Sequence, residues 1–271
     1  KAEQDFPNRN PVRSKSLEDL QEELAALADN GYKEVVLVGI NLSSYGKGTD
    51  LRLADAVELA CSVPGIERVR LGSLEPELLT DEDMDRFAAQ DKFCPQFHLS
   101  LQSGSDAVLR KMNRHYTREE YFARTRLIRD CFPDAAVTTD VIAGFPGETE
   151  EDFAQTLDLC RRVRFSQIHC FAYSRRTGTV AAKFEDLPPA VKKRRLHELL
   201  ALAEELRREY EAAFAGKVLE FVPEERKGEY TVGYSENYIR LYVAGEIARK
   251  TRVVALSPYQ DGLKAIVKED F

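Results

Sequence analysis

A glycine-rich turn, Gly144-Phe145-Pro146-Gly147-Glu148-Thr149, follows an apolar run and precedes a helical pattern. Gly144 and Gly147 lack a Cβ atom, so the backbone could come close to a bound molecule there. The N-terminus of the following helix could hold an anionic group. The same residues also fit a tight strand-to-helix turn in which Glu148 or Thr149 caps the helix, and spacing alone favours this simpler interpretation.

Four further polar residues lie within or directly after apolar runs. Asp140 lies inside such a run, where an unpaired carboxylate is costly, so it must be paired or must meet a polar ligand. Gln102 and Ser103 could hydrogen-bond a ribose or an amino-acid group, or they could simply cap a turn. Glu75 could receive an amine, or it could pair with a nearby arginine.

Histidines and cysteines, which are common metal ligands, are few and scattered. His98 alternates inside a strand pattern and is expected to be a core histidine, whereas His115 lies in a polar segment and is expected to be solvated or to cap a helix. The cysteines have no metal-ligand spacing such as C-x2-C. We therefore predict no metal ligands in this chain, and we expect small buried side chains at Cys61, Cys94, Cys131, Cys160 and Cys170.

The polar residues described above are positioned by short apolar runs that alternate with longer amphipathic stretches. Apolar runs rich in Val, Ile and Leu that alternate with helices predict a parallel sheet buried on both faces. A doubly wound sheet and a closed or partial barrel both fit, and both place their chemistry at the C-terminal ends of the strands. The five predicted strand regions are residues 35–41, 67–76, 96–104, 136–149 and 165–174.

The pattern changes after a long amphipathic helix that begins at Pro188-Pro189 and stops at Gly216. From Lys217 onward, short β-branched and aromatic runs are separated by Gly or Asn turns, which predicts a small all-β barrel. We therefore expect two domains, residues 1–215 and residues 216–271.

Composition narrows the possible classes of protein. A chain of 271 residues with 43% hydrophobic residues can bury one large core, or a large and a small one. No apolar run is long enough to span a membrane, and no secretory signal is visible. Scattered single cysteines are typical of reduced thiols, so we expect a cytoplasmic protein. The chain begins at Lys1 rather than Met, which suggests a fragment, a processed chain or missing pieces.

The net charge of −7 does not favour a nucleic-acid-binding protein, because surfaces that bind phosphate are basic. The segment from Leu159 to Lys183 nevertheless contains no acidic residue. Taken alone, such a run is expected to be a solvated face. Its basic residues are Arg161, Arg162, Arg164, Arg175, Arg176 and Lys183.

Five segments, in their order along the chain, resemble the methylthiotransferase branch of the radical-SAM superfamily. The segments are VVLVGINLSSYG, RVRLGSLEPELLT, FHLSLQSGSDAVLRKMNRHYT, TTDVIAGFPGETEEDFAQT and YSRRTGTVAA. The all-β tail from Lys217 is similar to the RNA-binding TRAM domain of that family. The resemblance covers residues 11–271 and implies a partial (β/α) TIM-type barrel followed by a TRAM-like barrel.

Within the family, RLGSLEP, SLQSGSD and MNRHYT look most like the enzyme that acts on N6-threonylcarbamoyladenosine at position 37 of tRNA. The isopentenyladenosine enzyme and the ribosomal-protein S12 enzyme are close relatives. The resemblance implies transfer of a methylthio group to C2 of the adenine, with S-adenosyl-L-methionine (SAM) and two [4Fe-4S] clusters as cofactors. It also implies the anticodon loop of tRNA, a sulfur donor and an electron donor as partners.

The resemblance also implies roles for individual residues. Cofactor-binding residues would be Asn41 at the floor of the SAM pocket and, around it, Glu75, Gln102, Ser103, Asp140, Gly144, Gly147 and Glu148. Arg175 and Arg176 would contact RNA phosphates or a substrate carboxylate, because arginine binds both in a bidentate manner. This interpretation turns the segment Leu159 to Lys183 into a candidate RNA path. No catalytic residue can be assigned.

One departure from the family pattern is serious. The family holds its radical-SAM cluster with a C-x3-C-x2-C loop, and no cysteine occurs between Lys1 and Lys15; the N-terminal methylthiotransferase domain is also absent. The sequence either joins the two flanks of a longer loop or comes from a protein that has lost its cluster. The other SAM-site segments look intact, which favours the first explanation, and this chain by itself is expected to be inactive.

Two other functions compete with a methylthiotransferase. One is a barrel without a cluster that only binds RNA. The other is an aldolase-type barrel, which would need a Schiff-base lysine at a strand end, and none of the five strand ends has one.

Overall fold

The structure, a computed structural model, describes residues 13–268 of the chain. The chain divides into two compact units, Lys1–Phe93 and Cys94–Phe271. Among the described residues, no helix has the length and apolar character needed to cross a membrane.

The first unit contains two parallel strands, a third short strand and three helices. In chain order these elements are α1 (Leu17–Asp29), β1 (Glu34–Leu37), α2 (Leu53–Ser62), β2 (Arg68–Leu71), β3 (Ser73–Leu74) and α3 (Asp81–Ala88). Strands β1 and β2 pair in parallel, with Val35 opposite Val69. Helix α1 is capped by Ser16, whose Oγ accepts the N–H of Asp19.

The run predicted as one strand over residues 67–76 is two strands in the structure, separated by Gly72. The Gly72 N–H donates to the carbonyl of Leu37 at 2.8 Å. A Cβ atom at position 72 would lie 3.2 Å from a methyl group of Val38. The strand is therefore interrupted at a glycine. An apolar run alone does not reveal such an interruption.

The second unit begins with three parallel strands and the helices that connect them. Its elements up to the linking helix are β4 (Gln96–Leu99), α4 (Asp106–Lys111), α5 (Arg118–Cys131), β5 (Ala136–Ala143), α6 (Glu150–Val163), β6 (Gln167–Ala172) and α7 (Pro189–Ala212). Strand β5 lies between β4 and β6 and pairs in parallel with both. Thr149 caps α6 as predicted, by accepting the N–H of Asp152. Helix α4 lies in a segment that the sequence patterns had left without a helix.

The core of this region packs against one face of β5. Val137 and Val141 of the strand are fully buried, and so are Ile128 of α5 and Leu159 of α6. The fully buried Tyr121 of α5 donates its hydroxyl to the carbonyl of Leu99 at 2.9 Å. The alternate residues of β5 include Thr138 and Asp140, so the second face of this strand is more polar than the sequence pattern predicted.

The second unit ends in a closed five-stranded barrel, which confirms the predicted all-β fold of the C-terminal region. The strands are β7 (Val218–Lys227), β8 (Tyr230–Ser235), β9 (Arg240–Ala244), β10 (Thr251–Tyr259) and β11 (Gly262–Val267). Their order around the barrel is β10-β11-β9-β8-β7. Strands β9 and β11 pair in parallel, and the other neighbours are antiparallel. Phe221, Leu241, Val243 and Val253 fill the interior.

One loop residue, Asp134, connects the β-barrel to the parallel strands. The Tyr210 hydroxyl at the end of α7 donates to the Asp134 carbonyl at 3.0 Å, and the Asn237 amide donates to the same carbonyl at 3.4 Å. The Lys217 ammonium lies 2.9 Å from the Asp134 carboxylate. Three side chains from the linking helix and the barrel therefore converge on the residue that lies two positions before β5.

Candidate cofactor and substrate site

The turn from Gly144 to Glu148 follows β5 and leads into α6. Gly144 has φ +77° and Gly147 has φ +73°, a conformation that side-chain-bearing residues adopt only at a cost. The helix then starts with a capping box, because Thr149 and Asp152 each accept a backbone N–H from the other. The tight strand-to-helix turn that the spacing favoured is therefore present.

The carboxylate of Glu148 points back into the protein and is buried. Its Oε2 accepts the N–H of Gly144 at 2.9 Å and lies 2.6 Å from a guanidinium nitrogen of Arg195 on α7. The side chains of Glu148 and Arg195 are only 1% and 3% exposed. Burial raises the pKa of Glu148, although the Gly144 N–H and Arg195 favour the ionised form. Glu148 therefore holds the turn closed against α7.

The two glycines of this turn lie against lysine side chains. A Cβ at Gly144 would lie 2.5 Å from Cγ of Lys192, and a Cβ at Gly147 would lie 2.9 Å from Nζ of Lys111. The Lys111 ammonium donates to the Gly147 carbonyl at 2.9 Å. Gly147 is exposed and Gly144 is buried, so of the two only Gly147 offers its backbone to solvent.

Gln102 and Ser103 follow β4, and their side chains lie in different environments. Gln102 has φ +66° and bridges to β5, because its N–H donates to the Asp140 carbonyl at 2.8 Å and its carbonyl accepts from Ile142. Its half-buried side chain has no partner among residues 13–268. Ser103 is fully buried, and its hydroxyl lies 3.4 Å from that of Thr156. Gln102 can therefore reach a ligand, whereas Ser103 holds the loop.

Asp140 lies between two histidines on the neighbouring strands. Register places Asp140 of β5 opposite His169 of β6, and His98 of β4 opposite Thr138 of β5. The Nε2 atom of His98 lies 3.5 Å from Oδ2 of Asp140, and the two imidazole rings are 5.7 Å apart. Asp140 therefore lies beside two imidazoles, and because its side chain is about one-third exposed it is not the buried carboxylate that the apolar run suggested.

The environment of His98 favours the neutral imidazole. Burial lowers the pKa of His98, Asp140 acts in the opposite direction, and His169 lowers it further. Its Nδ1 lies 3.0 Å from the Thr138 hydroxyl. His98 is thus the hydrogen-bonded histidine that its alternation predicted, but it is only partly buried and belongs to a polar cluster.

Two of the predicted cofactor-binding residues, Asn41 and Glu75, belong to the first unit. Asn41 is exposed and begins a short 3-10 turn at Leu42–Ser44. It lines a cavity of about 1190 Å³ along β1, together with the exposed apolar residues Val38 and Ile40. Glu75 is half-buried, and its backbone N–H donates to the Ser43 hydroxyl at 2.9 Å. Asn41 and Glu75 are thus linked through one short turn.

The segment from Leu159 to Lys183 has only basic charges in sequence, but in the structure some of these charges are paired with acidic residues. Arg162 makes a bidentate pair with Glu119 at 2.7 and 2.8 Å, and Arg164 lies 3.6 Å from Glu209. Acidic residues from other elements therefore neutralise part of the candidate RNA path. Arg175 and Arg176 follow β6 and are exposed; Arg175 donates only to the carbonyl of Phe184, at 3.1 Å.

The cysteines do not fit an iron–sulfur cluster. All five are free, and their side chains are buried or half-buried on separate elements. Burial raises the pKa of Cys160 to about 12 and that of Cys170 to about 11, which keeps these thiols protonated. Within residues 13–268, the three-residue group with metal-binding geometry contains no cysteine. The first twelve residues, where the cluster loop was sought, lie outside the described part of the chain.

The sequence profile of the Radical SAM superfamily matches residues 2–160, which is more than half of the chain. The chain belongs to the radical SAM superfamily, and the predicted partial barrel is the core fold of that family.

Two curated relatives are particularly similar. The chain is 38% identical to the threonylcarbamoyladenosine tRNA methylthiotransferase MtaB of Bacillus subtilis, over 97% of this chain and 61% of that protein. It is 43% identical to the tRNA-2-methylthio-N(6)-dimethylallyladenosine synthase of Acetivibrio thermocellus, over 80% of this chain and 46% of that protein. The chain thus spans only about half to three-fifths of the length of these relatives.

Solved structures support the fold. Coproporphyrinogen III oxidase HemN from Escherichia coli, a radical SAM enzyme, superposes with a TM-score of 0.54 at 22% identity, covering 70% of this chain and 45% of that chain. Methylornithine synthase PylB superposes with a TM-score of 0.52 at 15% identity, covering 74% and 56%. At these identities the likeness establishes the fold alone.

Sequence reasoning missed two features of the site. Arg195 was only one of many basic residues in a long helix, and nothing local indicated that it is buried against Glu148. The cluster of His98, Asp140 and His169 was also missed, because its members lie far apart in the chain and meet only through strand register. Alternation placed His98 in a strand, but it could not show which residues occupy the same face of the neighbouring strands.

Proposed function

We propose that this chain is the SAM- and RNA-binding part of a tRNA methylthiotransferase that adds a methylthio group to C2 of N6-threonylcarbamoyladenosine at position 37 of tRNA. The supporting observation is the similarity to MtaB, which extends over 97% of this chain, whereas the match to the dimethylallyladenosine synthase extends over 80%. SAM and two [4Fe-4S] clusters would supply the difficult chemistry of such a reaction. Because the cysteines of this chain do not fit a cluster, the cluster ligands would have to come from elsewhere.

In this proposal the residues of this chain bind and orient SAM. Gln102, which follows β4, and Asp140, inside β5, would hydrogen-bond the cofactor, and the exposed backbone of Gly147 would lie beside it. Ser103 and Glu148 would act indirectly, because their buried side chains hold the loop and the turn in place. Gly144 would permit that turn. Asn41 and Glu75, in the first unit, are proposed as cofactor-binding residues from the family resemblance.

The C-terminal residues 216–271 would form a TRAM-like RNA-binding domain, with residues 1–215 as the catalytic domain. Arg175 and Arg176 follow β6 and project a positive charge into solvent. They would bind phosphates of the anticodon loop or the carboxylate of the threonylcarbamoyl group. A sulfur donor and an electron donor would be further partners, in the cytoplasm.

The proposal is tested by mass spectrometry of tRNA nucleosides from cells with and without the full-length gene. We expect loss of the methylthio group from threonylcarbamoyladenosine, with the dimethylallyladenosine derivative unchanged. Complementation with the full-length protein should restore the modification, the variant Asp140→Asn should restore less of it, and the surface control Asp158→Asn should restore it fully. Loss from dimethylallyladenosine instead would overturn the substrate assignment.

A second candidate function is RNA binding without catalysis, which is favoured by the lack of a fitting set of cysteines. Anaerobic iron and sulfide analysis of the full-length gene product separates the two. About eight iron atoms per chain would match two [4Fe-4S] clusters. An iron-free protein with an unchanged nucleoside profile would leave RNA binding as the function.

A further inference from the structure

Three side chains with metal-binding groups converge on one face of the β4-β5-β6 sheet. His98, Asp140 and His169 each come from a different strand, and their nearest nitrogen or oxygen atoms all lie within 4.8 Å of one another. The central residue is the carboxylate, because Asp140 lies on the middle strand. Two imidazoles and one carboxylate are a ligand set that suits divalent transition metals such as zinc and iron.

The distance between His98 and Asp140 suits a bridging ion better than a direct hydrogen bond. Nε2 of His98 and Oδ2 of Asp140 are 3.5 Å apart, which exceeds the range of about 2.7–3.2 Å for a hydrogen bond between nitrogen and oxygen. Two ligands of a tetrahedral ion with bonds of about 2.0–2.1 Å are separated by about 3.3–3.4 Å. The observed gap is slightly longer than this separation, so a small movement of either side chain would bring both atoms into coordination range.

The hydrogen bond on the other side of His98 is compatible with the same arrangement. Its Nδ1 lies 3.0 Å from the Thr138 hydroxyl. If Nδ1 carries the proton and donates to Thr138, the lone pair of Nε2 is directed toward the carboxylate of Asp140. Two acceptors then face each other, which is favourable only with a cation between them. Metal-binding histidines commonly have such a second hydrogen bond, which fixes the ring and its tautomer.

Exposure indicates what kind of site this is. His98 is partly buried and Asp140 is about one-third exposed, whereas His169 is exposed to solvent. An exposed imidazole can rotate to close the remaining distance to the ion. Three protein ligands with one open side leave a coordination position for water or for a ligand oxygen, as in catalytic rather than structural metal sites.

We propose that His98, Asp140 and His169 bind one divalent transition-metal ion, of the class of Zn²⁺ or Fe²⁺, with an open position facing solvent. The ion would be separate from any iron–sulfur cluster, because none of its ligands is a cysteine. Its open position would take an oxygen of a carbonyl, carboxylate or hydroxyl group. Asp140 would use Oδ2 for the ion, which leaves Oδ1 for the cofactor contact proposed above.

The test uses the 271-residue chain, stripped of metal with a chelator and titrated with Co²⁺. We expect one equivalent to bind with visible bands of a tetrahedral or five-coordinate nitrogen–oxygen site and without a thiolate-to-cobalt charge-transfer band. Zn²⁺ should displace the cobalt. His169→Gln and Asp140→Asn should each weaken binding by more than the ~100-fold that is the upper end for loss of an outer hydrogen-bond partner.

Two further variants keep the test decisive. Thr138→Val removes only the hydrogen-bond partner of His98, and it should weaken Co²⁺ binding by ~10–100-fold without abolishing it. His115→Gln and His197→Gln replace the two histidines outside the cluster, and they should bind Co²⁺ like the unchanged chain. No saturable binding, a thiolate band, or binding that survives both His169→Gln and Asp140→Asn would each overturn the proposal.

Discussion

The segments that follow two neighbouring strands, β5 and β6, differ in how their charges are used. After β5, the turn from Gly144 to Glu148 buries its carboxylate against Arg195 at 2.6 Å. After β6, Arg175 and Arg176 remain exposed. Both segments lie at the same edge of the sheet, because the strands are parallel.

The comparison distinguishes residues that hold the turn in place, such as Glu148, from exposed residues that can contact a ligand, such as Arg176. A buried charge pair must be satisfied within the protein, since an unpaired partner is costly, so Glu148 and Arg195 are fixed in place. An exposed arginine has no such constraint and can exchange its water shell for a phosphate or a carboxylate. A charged residue in a sequence motif, such as Glu148 in the turn after β5, therefore need not contact the ligand.

The largest expected effect is on stability and comes from Arg195→Met. Removing one partner of a buried ion pair leaves Glu148 uncompensated, which should lower the free energy of unfolding by ~3–5 kcal/mol. Urea denaturation measures this change. The control is the neighbouring Arg194→Met, because Arg194 is about half exposed and ion pairs at the surface contribute little to stability. Equal losses for the two variants would show that burial of the pair is unimportant.

The next largest effect is expected for Gly144→Ala. An alanine at φ +77° is strained, and its Cβ would also lie 2.5 Å from Cγ of Lys192. Strain alone costs on the order of 1–3 kcal/mol, and the steric conflict adds to it. Gly178→Ala isolates the strain, because Gly178 has φ +88° with no atom within 4 Å of the added Cβ. Thermal denaturation should show the larger loss for Gly144→Ala, and a reversed order would contradict the packing described for this turn.

A smaller, pH-dependent effect is expected at Asp152. Burial alone would raise its pKa, but hydrogen bonds from Ser105 and Thr149 outweigh burial and hold the pKa below the usual 3.8. A lowered carboxyl pKa contributes stability that is present above pH 3.8 and is lost as the pH falls through the folded-state value. Asp152→Asn should therefore cost ~1 kcal/mol at pH 7.

The informative measurement is how the loss of unfolding free energy in Asp152→Asn changes as the pH is lowered. Below pH 3.8 the difference in unfolding free energy between the unchanged chain and Asp152→Asn should shrink. Asp158→Asn, an exposed position on the same helix, is the control and should stay within ~0.5 kcal/mol of the unchanged chain. A cost at Asp152 that is constant down to pH 3 would refute the assigned role of ionisation.

The smallest effect on stability is expected for Arg176→Gln, which should change the unfolding free energy by less than ~0.5 kcal/mol. Its effect should appear in RNA binding instead, measured with an anticodon stem-loop over a series of salt concentrations. Loss of one phosphate contact should reduce the slope of log K against log salt by ~1. Arg208→Gln on α7 is the control, because Arg208 is paired with Glu204. An unchanged slope for Arg176→Gln would remove this residue from the proposed RNA path.

The sequence predicted features that depend on neighbours along the chain. Thr149 was one of the two residues expected to cap a helix, and it accepts a backbone N–H in the first turn of α6. The strand regions were found because apolar runs are local signals. The break at Gly72 was missed, because it depends on the approach of Val38 from another strand.

Features set by distant pairing could not be predicted. The segment from Leu159 to Lys183 is free of acidic residues in sequence, yet Glu119 and Glu209 come from other helices to pair with two of its arginines. The face shared by His98, Asp140 and His169 depends on strand register, which apolar runs do not specify when both faces of a strand are buried. The sequence therefore predicted the polar residues of individual strands, but it did not predict which residues of different strands lie together.

The contacts at Asp134 attach the β-barrel to the loop that precedes β5. The backbone and side chain of this residue receive contacts from the end of α7, from Lys217 and from Asn237. The Asp134 loop therefore joins the barrel to the start of β5 through two peptide units. Strand β5 is hydrogen-bonded along both edges, to β4 and β6, and Gly144 follows it directly. Loss of the contacts at Asp134 would therefore remove one support of the strand that carries Asp140.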